Sequence, residues 1–299
     1  MDDINFADRL TAQTRKKRNP LCLGLDPHLT LPPQFVREKT DTVKSIGQFL
    51  ISYIDLVANK VPAVKPQAAF FEQLGPEGMQ LLFDVSEYAR QQGLLVILDA
   101  KRGDIGSTAQ AYAQAYLSRD APFDAITINP YLGMDSLSPF LEACQANGKG
   151  VFILVKTSNP GAKDFQDLAL KKDTALYEEI ATRLQGQCEA LVGKSGWSSL
   201  GVVVGATYPE EAVRIRQILP QALFLVPGFG AQGASAQQAL SAFEVTSEAY
   251  TGGVISSSRA IMFPTSPECN SFSEWETGVE AKLDTAIQAL VTAPHRGNV

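Results

Sequence analysis

Eight short apolar runs, spread along most of the 299 residues, constrain the fold more than any other feature of this chain. They are Leu21–Leu25, Val61–Val64, Leu94–Leu98, Ala125–Ile128, Val151–Val155, Gly201–Val204, Ala222–Val226 and Gly253–Ile255. Each is too short for a helix of its own, and they are rich in Val, Ile and Leu without alternation. Such runs suit strands buried on both faces, as in a parallel sheet.

The segments between them carry helical spacing. Val43, Ile46, Leu50, Tyr53 and Val57 recur every three or four residues. Glu77–Gln92 carries Leu81, Leu82, Val85, Tyr88 and Ala89 and stops at Gly93, a natural residue to follow a helix. Thr174–Gln185, Pro209–Leu219 and Ser235–Ala249 fit the same role, and Trp275, Val279, Leu283, Ile287 and Leu290 stripe a last helix. Eight strand–helix units without a linker predict an α/β protein, a single (β/α)8 TIM barrel with parallel strands. The domain would span residues 1–299, with the barrel core at about 20–292; a doubly wound open sheet is the alternative.

Nearly every run ends in polar or glycine-rich residues: Asp26-Pro27-His28, Lys65-Pro66-Gln67, Asp99-Ala100-Lys101, Asn129-Pro130-Tyr131, Lys156-Thr157-Ser158-Asn159, Gly205-Ala206-Thr207, Pro227-Gly228-Phe229-Gly230 and Ser256-Ser257-Ser258-Arg259. In a barrel these ends converge on one rim, where active sites lie. The net charge of −6 gives no reason to expect nucleic acid or an anionic membrane as partner, and the basic run Arg15–Arg18 reads as a solvated helix end. Four cysteines without CxxC spacing and two histidines speak against a disulfide framework or a structural zinc. No run reaches 18 apolar residues and MDDINFADRL lacks a signal-peptide core, so a soluble cytoplasmic protein is expected.

The charges concentrate in LLVILDAKRGDIGST, residues 94–108. Residues two apart on a strand share a side, so Asp99 and Lys101 should project together, with Lys65 on the neighbouring strand at the same rim. Ser107 or Thr108 is a candidate helix cap, and Arg102, pointing the other way, should pair with surface or interface carboxylates. Carboxylates beside lysines keep them protonated, and a rigid ammonium is a candidate general acid. A carboxylate beside an anionic substrate group repels it, which suits a reaction that loses that group and then takes a proton, such as a decarboxylation. An ordinary solvated loop with incidental ion pairs is the plain alternative. PGFGAQG (227–233) and Arg259 follow the last two strands, where barrels often hold phosphate; backbone N–H groups, Gln232 and the Arg259 fork would supply donors, unless the glycines only make tight turns. His28 reads as a loop histidine with local hydrogen bonds, and Asn129 and Tyr131 as site-lining or packing.

DAKRGDIGSTA (99–109) resembles the signature D-x-K-x-x-D-I-x-x-T of the orotidine 5′-phosphate decarboxylases. Asp26, Lys65, SNPGA (158–162), VGAT (204–207), PGFGAQG and Arg259 follow in the family's order, and the wording resembles its longer bacterial branch. The resemblance implies a cofactor- and metal-independent enzyme that converts orotidine 5′-phosphate to uridine 5′-phosphate in de novo pyrimidine biosynthesis. Lys101 would protonate the ring carbon that loses CO2, Asp99 would face the departing carboxylate, and Lys65 would bridge Asp99 and the ribose. Asp26 would hydrogen-bond the ribose, Ser158 and Pro227 would meet the pyrimidine, and Gln232 and Arg259 would grip the phosphate. The family's homodimer implies that Asp104, Ile105 and Thr108 reach into the partner subunit's site. Ser258 stands where many relatives have Gly, and the segments Pro32–Lys39 and Phe165–Lys172 are expected to be surface loops. Two competing readings remain: a magnesium-dependent sugar-phosphate enzyme sharing D-x-K-x-x-D, and a nucleotide-binding barrel without turnover.

Overall fold

Eight parallel strands close on themselves in a computed structural model that describes residues 5–170, 174–230, 233–245, 250–264, 269 and 271–294. They are β1 (Leu21–Leu25), β2 (Ala63–Pro66), β3 (Leu95–Arg102), β4 (Ala125–Ile128), β5 (Gly150–Lys156), β6 (Ser198–Val204), β7 (Ala222–Pro227) and β8 (Gly253–Ser257). Each pairs with the next, and β8 returns to β1 through Leu21↔Ile255, so the barrel itself has no open edge. The helix Thr42–Val57 and its counterparts pack outside, as the three-and-four spacing of their apolar residues requires. Among the described residues no helix is long and apolar enough to cross a membrane.

The missing alternation in the strands has a simple cause, because both faces are apolar but different. One series of alternate residues packs under the helices: Leu21, Leu23 and Leu25, or Val151, Ile153 and Val155. The other fills the barrel: Cys22, Ala63, Leu95, Ile97, Ala125, Phe152, Leu223, Leu225 and Val254. Following that inner series by twos towards the carboxyl ends gives Lys65, Asp99, Thr127 and Leu154 on β2 to β5. The site is therefore the top of the barrel interior, where apolar filling gives way to charge.

The opposite end is closed by the helix Phe6–Lys17, which precedes β1. Asn5 caps it, its side chain accepting from Ala7 N at 2.8 Å. Phe6 is wholly buried in the barrel floor and meets Phe152 edge-on, centroids 6.0 Å apart. That insertion needs Gly150, since a Cβ there would lie 2.2 Å from the Phe6 ring. Arg9 pairs with Asp124, whose other oxygen accepts from Val96 N at 2.8 Å, tying the plug to the start of the sheet. The Arg15–Arg18 run forms the end of this helix, with Arg18 in the left-handed region (φ 57°), but Lys17 is engaged, donating to Ala58 O at 2.9 Å.

Four local expectations are corrected. Ser235–Ala249 is not one helix: Ser235 and Gln238 cap a single turn, Ala236–Ala239, and Glu244–Val245 then pairs antiparallel with Tyr250–Thr251. A capping box starts a helix, but the β-branched and aromatic residues after Ala242 favour extended backbone. Thr174–Gln185 is helical over Leu176–Arg183 only, and a separate short helix, Gln185–Ala190, begins at its end. The helix after β3, Gly106–Leu117, is preceded by Ile105 with no side-chain cap, so neither Ser107 nor Thr108 caps it. Pro32–Lys39 holds the short helix Gln34–Arg37, which buries Val36 and sets Phe35 against Phe272, so it is only partly a surface loop.

Candidate active site

Asp99 is the hub of the rim. Its Oδ2 accepts from Lys65 Nζ at 2.9 Å and Gln67 Nε2 at 3.2 Å, and its Oδ1 from Lys101 Nζ at 2.6 Å and Thr127 Oγ1 at 2.9 Å. Burial works against the charged carboxylate, but the two ammonium groups outweigh it and hold Asp99 far below the usual carboxylate range. Burial likewise opposes a charged Lys65, and the Asp99 and Asp26 carboxylates raise it above an ordinary lysine. The two lysines differ in access. The Lys65 side chain is 8% exposed and the Lys101 side chain 44%, so Lys101 presents its ammonium while Lys65 is locked beneath.

Asp99 and Lys101 meet as expected, though regular alternation does not bring them together. The β3–β4 register jumps between Leu98 and Arg102, and Lys101 sits at φ 47°, a left-handed conformation rare for a side-chain-bearing residue. Arg102 turns outward onto Glu72 and lies over the rings of Tyr112 and Tyr116, 5.6 and 5.8 Å from their centroids. It is the outward-facing partner of carboxylates that the sequence suggests.

Lys65, Asp99, Lys101, Thr127, Leu154, Thr157, Ser158, Asn159, Val203, Leu225 and Pro227 line a cavity of ≈ 300 Å³. Its lining combines three charged, four neutral polar and four apolar residues, which suits a flat polar ring with one anionic substituent. The loop after β5 is fastened rather than free. Gln166 accepts from Thr157 N at 2.9 Å and donates to Thr157 Oγ1 at 2.9 Å. The fully buried Lys156 pairs with Asp167 and lies 4.4 Å from the centre of the Tyr208 ring. Residues 165–170 are exposed apart from the half-buried Gln166, as expected of a surface loop, and through Gln166 and Asp167 the loop also braces the segment that carries Ser158; residues 171 and 172 lie outside the described residues.

Asp26 comes inward from β1 and Ser258 from the end of β8, and Ser258 donates to Asp26 Oδ2 at 2.5 Å. Asp26 Oδ1 is buried with no partner among the described residues, an acceptor left open. Ser258 is therefore committed to Asp26. His28 donates its backbone N–H to Asp26 O at 2.8 Å, the local hydrogen bond expected of a loop histidine, and its ring packs against Phe70 and Phe263, ring centroids 4.2 and 5.9 Å away; burial lowers its pKa. After β7, Gly228 and Gly230 take φ of 106° and 80°, backbone that only glycine adopts readily. Gln232 lies outside the described residues. Arg259 is exposed at the start of the turn Arg259–Met262, with no hydrogen-bond or ion-pair partner among the described residues.

Asp26 and Arg259 are not among the residues that line the cavity, and neither are the remaining described candidates. Asp104 accepts from Ile105 N at 2.8 Å, and neither Asp104, Ile105 nor Thr108 lines the site of its own chain. Asn129 accepts from Tyr131 N at 3.0 Å, and Tyr131 is 87% exposed, so neither lines the cavity. Thr127 and Gln166 are not singled out by the sequence, and Gln67 only as a polar strand end. Thr127 leaves one trace, as the polar residue inside the apolar run Ala125–Ile128.

Comparison with known proteins places this arrangement. Residues 19–268 match the model of the orotidine 5′-phosphate decarboxylase / HUMPS family. An orotidine 5′-phosphate decarboxylase of Rhodopirellula baltica is 44% identical over 93% of this chain and 96% of its own length. One of Deinococcus radiodurans is 41% identical over 94% of this chain and 98% of its own. The solved structure of the Leishmania donovani OMP decarboxylase superposes with a TM-score of 0.74 at 33% identity, covering 97% of this chain and all of that one. With the match spanning the barrel and every strand end described above, the chain belongs to the orotidine 5′-phosphate decarboxylase / HUMPS family.

Proposed function

We propose that this chain decarboxylates orotidine 5′-phosphate to uridine 5′-phosphate, in pyrimidine biosynthesis in the cytoplasm, without metal or cofactor. The observation that carries the proposal is the Lys65–Asp99–Lys101 array, buried at Lys65 and Asp99 and open at Lys101, in the lining of the cavity of a chain of this family. The substrate carboxylate sits against Asp99. As its bond to the ring breaks, CO2 leaves and the electron pair stays on the ring carbon. Lys101 stabilises that charge and then delivers a proton to it, acting by preorganised electrostatics. The open Oδ1 of Asp26 accepts a ribose hydroxyl, Lys65 bridges Asp99 and the ribose, and Ser158 and Pro227 bound the pyrimidine. Arg259, with Gln232 and the glycine loop, holds the phosphate, whose remote binding energy supports the chemical step.

The working unit in this reading is a homodimer, in which Asp104, Ile105 and Thr108 complete the partner subunit's site. Ile105, Tyr131 and Leu132, all exposed on the loops after β3 and β4, make that sector of the rim apolar, as an interface requires. The test is direct: incubate the protein with orotidine 5′-phosphate plus chelator and follow loss of the orotate absorbance. Turnover is expected. No turnover refutes the proposal, and turnover that needs added Mg2+ favours the sugar-phosphate branch of the family.

A further inference from the structure

The geometry points to Thr127 as the positioning residue that sets Asp99 and Lys101 in their working arrangement. Along β3 and β4 the pairing runs Leu98↔Ile126 and then Arg102↔Ile128. Three residues of β3, Asp99, Ala100 and Lys101, therefore stand opposite the single residue Thr127. A bulge of this kind takes N–H groups out of the ladder, and buried N–H groups need acceptors. Thr127 Oγ1 supplies them, accepting from Ala100 N at 3.0 Å and Lys101 N at 2.9 Å.

A hydroxyl has two lone pairs and one proton. With both lone pairs taken by the bulge, the proton has one destination, Asp99 Oδ1 at 2.9 Å. Lys101 Nζ reaches the same oxygen at 2.6 Å. One side chain thus stabilises the left-handed backbone of Lys101, orients the carboxylate of Asp99 and fixes where the Lys101 ammonium comes to rest. Thr127 is 1% exposed, so water does not readily replace it. It lines the cavity, yet its hydroxyl has nothing left to offer a substrate, which makes it a positioning residue rather than a catalytic one. The register returns directly beyond it, with Asn129 N donating to Arg102 O at 2.8 Å.

The kinetic part of the test rests on the decarboxylase reading; the backbone part does not. Thr127→Val keeps the shape and the strand preference and removes only the hydroxyl. It should lower kcat by about 10- to 100-fold, the loss expected when a charge-assisted hydrogen bond and two buried acceptor sites disappear, with KM little changed. Thr127→Ser restores the hydroxyl and should recover most of that loss. Amide exchange at Ala100 and Lys101, read by NMR, should be slow in wild type and in Thr127→Ser, and fast in Thr127→Val. If Thr127→Val does not fold, Thr127→Ala takes its place in both comparisons. Equal kcat in the variants with and without the hydroxyl, or unchanged exchange at Ala100 and Lys101, overturns the inference. Absence of turnover in the wild type would refute the decarboxylase reading alone, and the exchange measurement would still decide the role of Thr127.

Discussion

Four side chains donate to the carboxylate of Asp99, and only two of them stand out in the sequence. Lys65 and Lys101 are conspicuous because a charge at the end of a buried apolar run must have a reason to be there. Thr127 and Gln67 are not, since a Thr within a strand or a Gln after one is ordinary. Asp99 and Lys101 meet as strand alternation predicts, but a bulge and a left-handed residue produce the pairing, and neither has a sequence mark here. His28 offers a test at the same scale. Burial between Phe70 and Phe263 opposes its protonation, the Asp26 carboxylate favours it, Arg259 opposes it, and the net effect lowers its pKa from 6.5. Below that value the unfolded chain binds a proton that the folded chain refuses, so this group removes stability as pH falls through 6.5 and costs nothing well above it. Between about pH 7.5 and about pH 5.5, wild type should therefore lose more Tm than His28→Phe, which keeps the ring contacts. Equal losses in the two proteins would show that His28 titrates as it does in the unfolded chain.

The strands were legible because burial on both faces repeats eight times, and five of the outer helices because three-and-four spacing marks them; Gly106–Leu117 and Met134–Asn147 carry no such stripe that stood out. What escaped is each element whose role depends on a distant one. The helix Phe6–Lys17 lies outside the repeat, and nothing local says that it plugs the barrel. Its fit depends on Phe6 meeting Gly150, and contacts that far apart in sequence leave no periodicity. The consequence is measurable in urea unfolding. Phe6→Ala should cost about 3–5 kcal/mol through the cavity it leaves. Gly150→Ala should cost about 1–3 kcal/mol by forcing the ring out. In the Phe6→Ala background the added methyl has space, so Gly150→Ala should there cost close to nothing, a non-additivity expected only of residues in contact. Additive losses would mean that Gly150 serves its own backbone and not the ring of Phe6. KM should change little in these variants, because the floor lies at the end of the barrel opposite the charged rim.

At the scale of the whole molecule, the signature stretch, residues 99–108, divides into two sets of residues. Asp99 and Lys101 line one cavity with Lys65, Ser158 and Pro227, whereas Asp104, Ile105 and Thr108 do not. A motif that binds one ligand from one chain would be expected to bring its residues together. This one separates within a few residues, as β3 passes into the helix Gly106–Leu117, and the exposed apolar side chain of Ile105 stands at the break. The separation is explained if the second set serves a neighbouring copy across a two-fold axis, where each chain presents the same patch to the other. Lys101→Ala and Asp104→Ala should then each be strongly impaired as homodimers. Mixed in equal amounts and allowed to exchange subunits, half of the dimers combine one chain of each kind. Of the two sites in such a dimer, one carries both lesions and the other carries neither. Activity should rise to roughly a quarter of wild type, the share of intact sites in a random mixture. Recovery at that level requires Lys101 and Asp104 of a working site to come from different chains. No recovery, in a mixture shown by mass to have exchanged, would place both groups in the same chain's site and require Asp104 to move into the cavity when substrate binds.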